Sequence, residues 1–221
     1  MEYAVKLFNE KKYLEAINRF RQYAERGNAY AQSWMGYCYF NGIVVEKNFK
    51  IAMDWYTKSA MQGDPTSQFI LGNCYADGTG VVQNSAKAIE WITKAAQQGY
   101  VDAQYTLGSC YINGKFVYQN YQKAIYWLTK AAEQGKVEAQ FDLGNCYARG
   151  DGVTVDYYKA ADLFLKAAMQ GDADAQYSIG VCYANGYGVK QNKAKAEEWW
   201  IKSAAQGDQM AKDALRRLRN N

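Results

Sequence analysis

The chain's cysteines, Cys38, Cys74, Cys110, Cys146 and Cys182, stand 36 residues apart. A thiol can bridge, bind a metal or attack an electrophile, so a regular row of five calls for a chemical reading first. A disulfide needs Cα atoms within about 7 Å, whereas packed helices stand about 8–10 Å apart, slightly too far for equivalent positions in stacked repeats. An odd number also leaves one thiol over. A metal site would want paired Cys-x-x-Cys spacing or histidine, and a cysteine nucleophile wants a histidine base. The chain has no histidine at all. The row is therefore read as a small, apolar helix-packing position where a free cysteine serves well. No disulfide, metal site or catalytic residue is expected.

Other candidates reduce in the same way. The stretches DGTGV, RGDGV and NGYGV look like phosphate cradles. A true cradle follows a strand and carries a specific lysine or acid, whereas these follow helical patterns and repeat. They read as caps and turns. Trp55, Trp91, Trp127 and Trp199 share one column, as do Lys58, Lys94, Lys130, Lys166 and Lys202. The first reads as core, the second as cations suited to helix C-termini. The net charge is +4, of which Lys212, Arg216, Arg217 and Arg219 against Asp213 supply +3. The near-neutral remainder disfavours nucleic acid, which wants a broad basic face. No apolar run approaches the ~18 residues of a membrane helix, and MEYAVKLFNEKKY is no signal peptide. No cofactor or small-molecule substrate is expected.

The elements behind these columns form a repeat. Gly36, Tyr39, Gly42, Val45, Ala52, Lys58 and Gly63 each recur at 36-residue steps. One unit reads as two helices. Helix A over 29–41 carries Ala31, Met35, Cys38 and Tyr39 on one face, and Gly42 ends it with a left-handed cap. Helix B over 49–62 carries Ala52, Trp55, Tyr56, Ser59 and Ala60. Asn48, Asn84, Asn120, Asp156 and Asn192 stand where its N-cap belongs. Asp64 caps the next helix A, with Pro65 at its first position. Neither helix buries its stripe alone. The expected fold is all-α, a right-handed α-solenoid (superhelix) of tandem 36-residue helix-turn-helix repeats.

The stretch AQYTLGSCYINGKFVYQNYQKAIYWLTKAAEQG (103–135) resembles the Sel-one-like repeat, a relative of the tetratricopeptide repeat with a longer A–B loop. The resemblance covers residues 28–210 in five copies. Two loops depart from its Gly-x-Gly-Val pattern, with Val44 and Phe116 at the second glycine position, and are expected to differ in conformation or carry strain. Residues 1–27 resemble a tetratricopeptide capping hairpin, with Ala16, Ala24 and Gly27 in the frame of Ala52, Ala60 and Gly63. Residues 211–221 read as a C-terminal capping helix in one continuous domain, with Ala211, Ala214 and Leu215 inward and Arg216, Arg217 and Arg219 in water. Secreted relatives pair two cysteines within a repeat, a pattern this chain lacks.

The resemblance implies a concave face built from helix A columns, where positions that vary are free for a partner. Candidate contact residues are Tyr30, Trp34, Tyr37, Phe40, Asn41 and Phe69, then Asn73, Asp77, Tyr105, Ser109 and Asn113, then Asp142, Asn145, Arg149, Asp174 and Asn185. The column of Ser33 (Phe69, Tyr105, Phe141, Tyr177) is nearly all aromatic and half structural. The N-terminal end is aromatic. The later repeats carry Asp102, Glu138, Asp142 and Asp174, with Arg149 as a lone cation. A partner with an apolar segment at one end and basic residues at the other would fit. The aromatics have a second reading as packing for the N-terminal hairpin, and the acids as complements to helix N-termini. The expectation is a monomeric, non-enzymatic, bacterial scaffold or adaptor that binds a protein or peptide. The alternative is an immunity protein against a co-encoded toxin, and an RNA-binding repeat is less favoured. Free thiols and no signal point to the cytoplasm, or to the periplasm or secretion if a leader has been removed.

Overall fold

A computed structural model describes residues 1–219; residues 220 and 221, the last two of the expected capping segment, lie outside the described residues. Among the described residues there are thirteen helices and no strand. They are α1 (Glu2–Asn9), α2 (Tyr13–Glu25), α3 (Ala29–Asn41), α4 (Phe49–Met61), α5 (Pro65–Asp77), α6 (Ser85–Gln97), α7 (Val101–Asn113), α8 (Tyr121–Glu133), α9 (Val137–Arg149), α10 (Tyr157–Met169), α11 (Ala173–Asn185), α12 (Lys193–Ala205) and α13 (Gln209–Arg219). The chain divides into two compact units, Met1–Leu107 and Gly108–Asn221. From α1 to α6 in unit 1 and from α8 to α13 in unit 2, each helix packs on the next in sequence, the arrangement of stacked helix pairs that defines an α-solenoid.

Local chemistry sets the helix ends. Asn48 and Asn84 in unit 1, and Asn120, Asp156 and Asn192 in unit 2, each accept a hydrogen bond from the backbone N–H three residues on. Each such cap is worth about 1 kcal/mol. Asn28, Asp64 and Asp172 do the same for α3, α5 and α11. At the C-terminus of α3, Gly42 takes φ 72° and its N–H donates to the Cys38 carbonyl. Helix α4 stops at Met61, one residue short of the sequence expectation, with Gln62 as its cap.

Val44 and Phe116 do not change the loop conformation. They hold φ 62° and 66°, in the left-handed range of Gly80 (72°), Gly152 (74°) and Gly188 (65°). The strain alternative applies: a β-branched or bulky residue at positive φ costs of order 1–3 kcal/mol, which the surrounding repeat must offset.

Helices A and B of one repeat approach closely at the glycine column. A Cβ on Gly72 would stand 2.6 Å from Ile92 Cγ1 and 3.1 Å from the Ala88 carbonyl oxygen. Gly36 faces Tyr56 in unit 1, and Gly108, Gly144 and Gly180 face Leu128, Phe164 and Trp200 in unit 2. Around them Ala31, Met35, Cys38, Ala52 and Tyr56 are buried, whereas Trp55 is only half-buried.

A second column, silent in the sequence reading, ties successive repeats. Gln32, Gln68, Gln104, Gln140 and Gln176 are no more than 5% exposed. The Gln68 amide donates to the Ala60 carbonyl (3.0 Å), and its oxygen accepts from Gln98 Nε2 (2.8 Å). One side chain thus joins the helix before it, its own helix and the helix after it. Gln140 repeats this in unit 2, with Ala132 (3.2 Å) and Gln170 (2.9 Å). Both ends of a buried amide are satisfied, as burial requires.

Candidate protein-binding site

The five thiols are free and buried. Burial pushes Cys38 and Cys74 up to about 12 and Cys146 and Cys182 up to about 11, and raises Cys110. A buried thiol held protonated is neither nucleophile nor ligand. Among the described residues no cluster of histidine, cysteine or acid could hold a metal ion. What remains is surface.

In unit 1 the first turns of α3 place Tyr30, Ser33, Trp34 and Tyr37 on one side. With Tyr56, Asp64, Thr66 and Ile70 they line a cleft of about 290 Å³. Its cause is one small residue. Ser33 stands where later repeats carry Phe69, Tyr105, Phe141 and Tyr177, and the missing ring leaves space. Tyr30 and Tyr37 remain 50% and 41% exposed. Trp34 meets both edge-on, with centroids 6.3 and 5.7 Å away, and stacks on Phe20 at 4.9 Å. Phe8 also lies against Trp34 (4.7 Å) and Tyr37 (6.1 Å). The N-terminal hairpin therefore anchors Trp34, so packing and cleft-lining coexist in one residue. Phe40 is used differently: its half-buried ring packs on Phe49 (5.0 Å) and Tyr56 (6.3 Å), against the edge of the core. Phe69 rests on Tyr100 (5.3 Å). Asn41 is exposed but donates to the Tyr37 carbonyl, and Asp77 accepts from Thr79 N–H. Asn73 and Tyr105 are half-buried.

In unit 2 the corresponding positions are polar above a filled core. Phe141, in Ser33's frame, sits 5.8 Å from Phe164, which is in Tyr56's frame. Ser109, Asp142 and Asn145 are half-buried, while Asn113, Arg149, Asp174 and Asn185 are exposed. Asn113 and Asn185 turn back to the Ser109 and Val181 carbonyls of their own helices. Glu138 pairs with Lys136 at 3.5 Å.

On the B helices, the lysine column does more than face a dipole. Lys58 lies over Trp55 (4.5 Å), Lys94 over Trp91 (4.2 Å) and Lys202 over Trp199 (4.2 Å). A further row covers tyrosines: Lys87 on Tyr75, Lys159 on Tyr147 and Lys195 on Tyr183. Lys166 instead pairs with Asp162 at 2.7 Å. The half-buried rings are thus shielded by the protein's own cations.

The geometry is that of a tandem helical-repeat protein with exposed aromatic and polar side chains along its A helices. The Sel1 repeat family model matches residues 29–64, 65–100, 101–136, 137–172 and 173–208, and the chain belongs to the Sel1 repeat family. Proteins of this family generally mediate protein–protein interaction and are typically non-catalytic. Among solved structures, a Sel1 repeat protein from Oxalobacter formigenes is 35% identical with a TM-score of 0.89, covering 96% of this chain and 87% of its own. The antigen c5321, a protective antigen present in uropathogenic Escherichia coli strains and displaying an SLR fold, is 36% identical with a TM-score of 0.86. That match covers 90% of this chain and 43% of the antigen. A putative sel1 repeat protein from Klebsiella pneumoniae, 24% identical with a TM-score of 0.52 over 92% of this chain and 99% of its own, shows likeness of fold alone. A search of curated proteins finds no match. No described helix is long and apolar enough to cross a membrane.

Proposed function

We propose that this chain is a non-enzymatic scaffold that holds a protein partner through an extended segment, one side chain of which enters the unit 1 cleft. The observation that carries this is Ser33. A small residue in an otherwise aromatic column opens about 290 Å³ beside two tyrosines left 50% and 41% exposed. Pockets of this kind, apolar with a few polar groups, are where partner anchors insert. Asp174, Arg149 and Asn185 are exposed in unit 2 and offer polar contacts to a partner. On this reading the chain acts as a cytoplasmic monomer: sedimentation should return the mass of one chain, and cell fractionation should recover it with the cytoplasm.

The test is Ser33→Tyr, which restores the ring that Tyr105 and Tyr177 supply at the same column. The filled variant should melt no lower than the parent and lose binding of partner-derived segments about tenfold or more. Unchanged affinity with the fold intact would remove the cleft from the binding surface. Tyr37→Asn, which copies Asn73 and Asn145, provides the milder step.

A further inference from the structure

The cleft has a charge that its aromatic walls leave unanswered. Asp64 lines it and caps α5 through one carboxylate oxygen, which accepts from Ser67 N–H at 2.7 Å. Among the described residues no lysine or arginine pairs with this half-buried carboxylate. Nor does any described cation lie over Tyr30, Trp34 or Tyr37, although lysines cover Trp55, Tyr75 and Trp91 elsewhere in the same unit. Here the chain leaves ring surface open beside a negative charge.

Resting on the reading of the cleft as the anchor site, we infer that its occupant is an arginine side chain of the partner segment. A guanidinium is planar and weakly hydrated, stacks on aromatic rings and can share a carboxylate edge, while its methylene stem packs on apolar walls. An ammonium is more strongly hydrated and offers no plane to stack. A purely apolar anchor would leave the Asp64 carboxylate to be desolvated without compensation, which disfavours it. Ile70 and Trp34 accept the stem, Tyr30 and Tyr37 flank it, and the free oxygen of Asp64 takes the guanidinium.

The experiment selects binders from a displayed library of random peptides on the intact chain, then measures synthetic winners against three variants. Asp64→Asn keeps the cap, because Asn28 caps α3 by the same bond in the same frame, and removes only the charge. Winners should share an arginine. Their affinity should fall about tenfold on Asp64→Asn, and again when that arginine is made lysine or leucine, in line with a hydrogen bond to a charged group. Ser33→Tyr should abolish binding, and Tyr37→Asn should weaken it. Peptides that Ser33→Tyr blocks but that carry no common arginine, or that ignore Asp64→Asn, overturn the inference and leave the anchor site standing. Absence of any peptide sensitive to Ser33→Tyr overturns both. Melting temperatures of the variants separate these outcomes from unfolding.

Discussion

Unit 1 and unit 2 are built from the same repeat but present different surfaces at equivalent positions. In unit 1, Tyr30, Ser33, Trp34 and Tyr37 give exposed rings and a void. In unit 2 the same frame reads Glu138, Phe141, Asp142 and Asn145, and the void is taken up by a ring against Phe164. Beneath, the glycine contacts, the glutamine clamp and the asparagine caps are the same in both. The scaffold is thus decoupled from the face: the glycine, glutamine and cap columns persist through both units, while the columns of Tyr30, Trp34 and Tyr37 drift.

Predictions follow as attacks on that contrast. The heaviest loss should come where both units are alike. Gly72→Ala drives a methyl into Ile92 and the Ala88 carbonyl and should cost about 3 kcal/mol, with Gly180→Ala against Trp200 costing a similar amount; thermal or urea unfolding measures both. If one site tolerates the methyl, the two units do not share a scaffold. Next, Phe141→Ser imports unit 1's gap into unit 2. Removing a half-buried ring should destabilise by about 2 kcal/mol, and binding in unit 1 should not change. The clamp comes third: Gln68→Ala and Gln140→Ala each strand a buried carbonyl, so each should cost roughly 1–3 kcal/mol, and an unequal loss would mark the units as differently coupled. The smallest effect has the opposite sign. Ser67 Oγ is buried with no hydrogen-bond partner, in a column that is alanine at Ala31, Ala103, Ala139 and Ala175. Ser67→Ala should raise stability by about 1 kcal/mol, and unit 2 offers no equivalent gain.

A pH test applies to unit 1. The folded thiols of Cys38 and Cys74 titrate near 12 rather than at the ordinary 9.0, so folding favours their protonated form. Their contribution is fully present below pH 9.0 and is lost as pH rises towards 12. Cys38→Ala should flatten the alkaline fall in melting temperature by that share; an unchanged slope would mean that the thiol titrates alike in the folded and unfolded states.

The repeat, the helix bounds and the caps were legible because they depend on neighbours in sequence: Asn48 needs only the N–H of Ile51, and Gly42 only the Cys38 carbonyl. The loops at Val44 and Phe116 were flagged by the pattern, though not which alternative applied, because neighbouring packing rather than intrinsic preference fixes their φ. The cleft was half legible. Ser33 was visibly the odd member of an aromatic column, but a missing ring becomes a void only when Tyr56 and Ile70 are packed around it. Asp64 read as a cap, since its place in the wall of the cleft has no sequence signature. The glutamines were missed because a polar residue inside an apolar pattern looks like surface until its partners, eight residues before and thirty after, are in place.

The cysteine row, inert as chemistry, has a use as a clock. Each repeat carries one native thiol no more than 6% exposed, so a thiol reagent can reach it only when that repeat opens. Labelling followed by peptide mass mapping would time the opening of all five repeats in a single unmodified chain. If a partner occupies unit 1, the clocks at Cys38 and Cys74 should slow most.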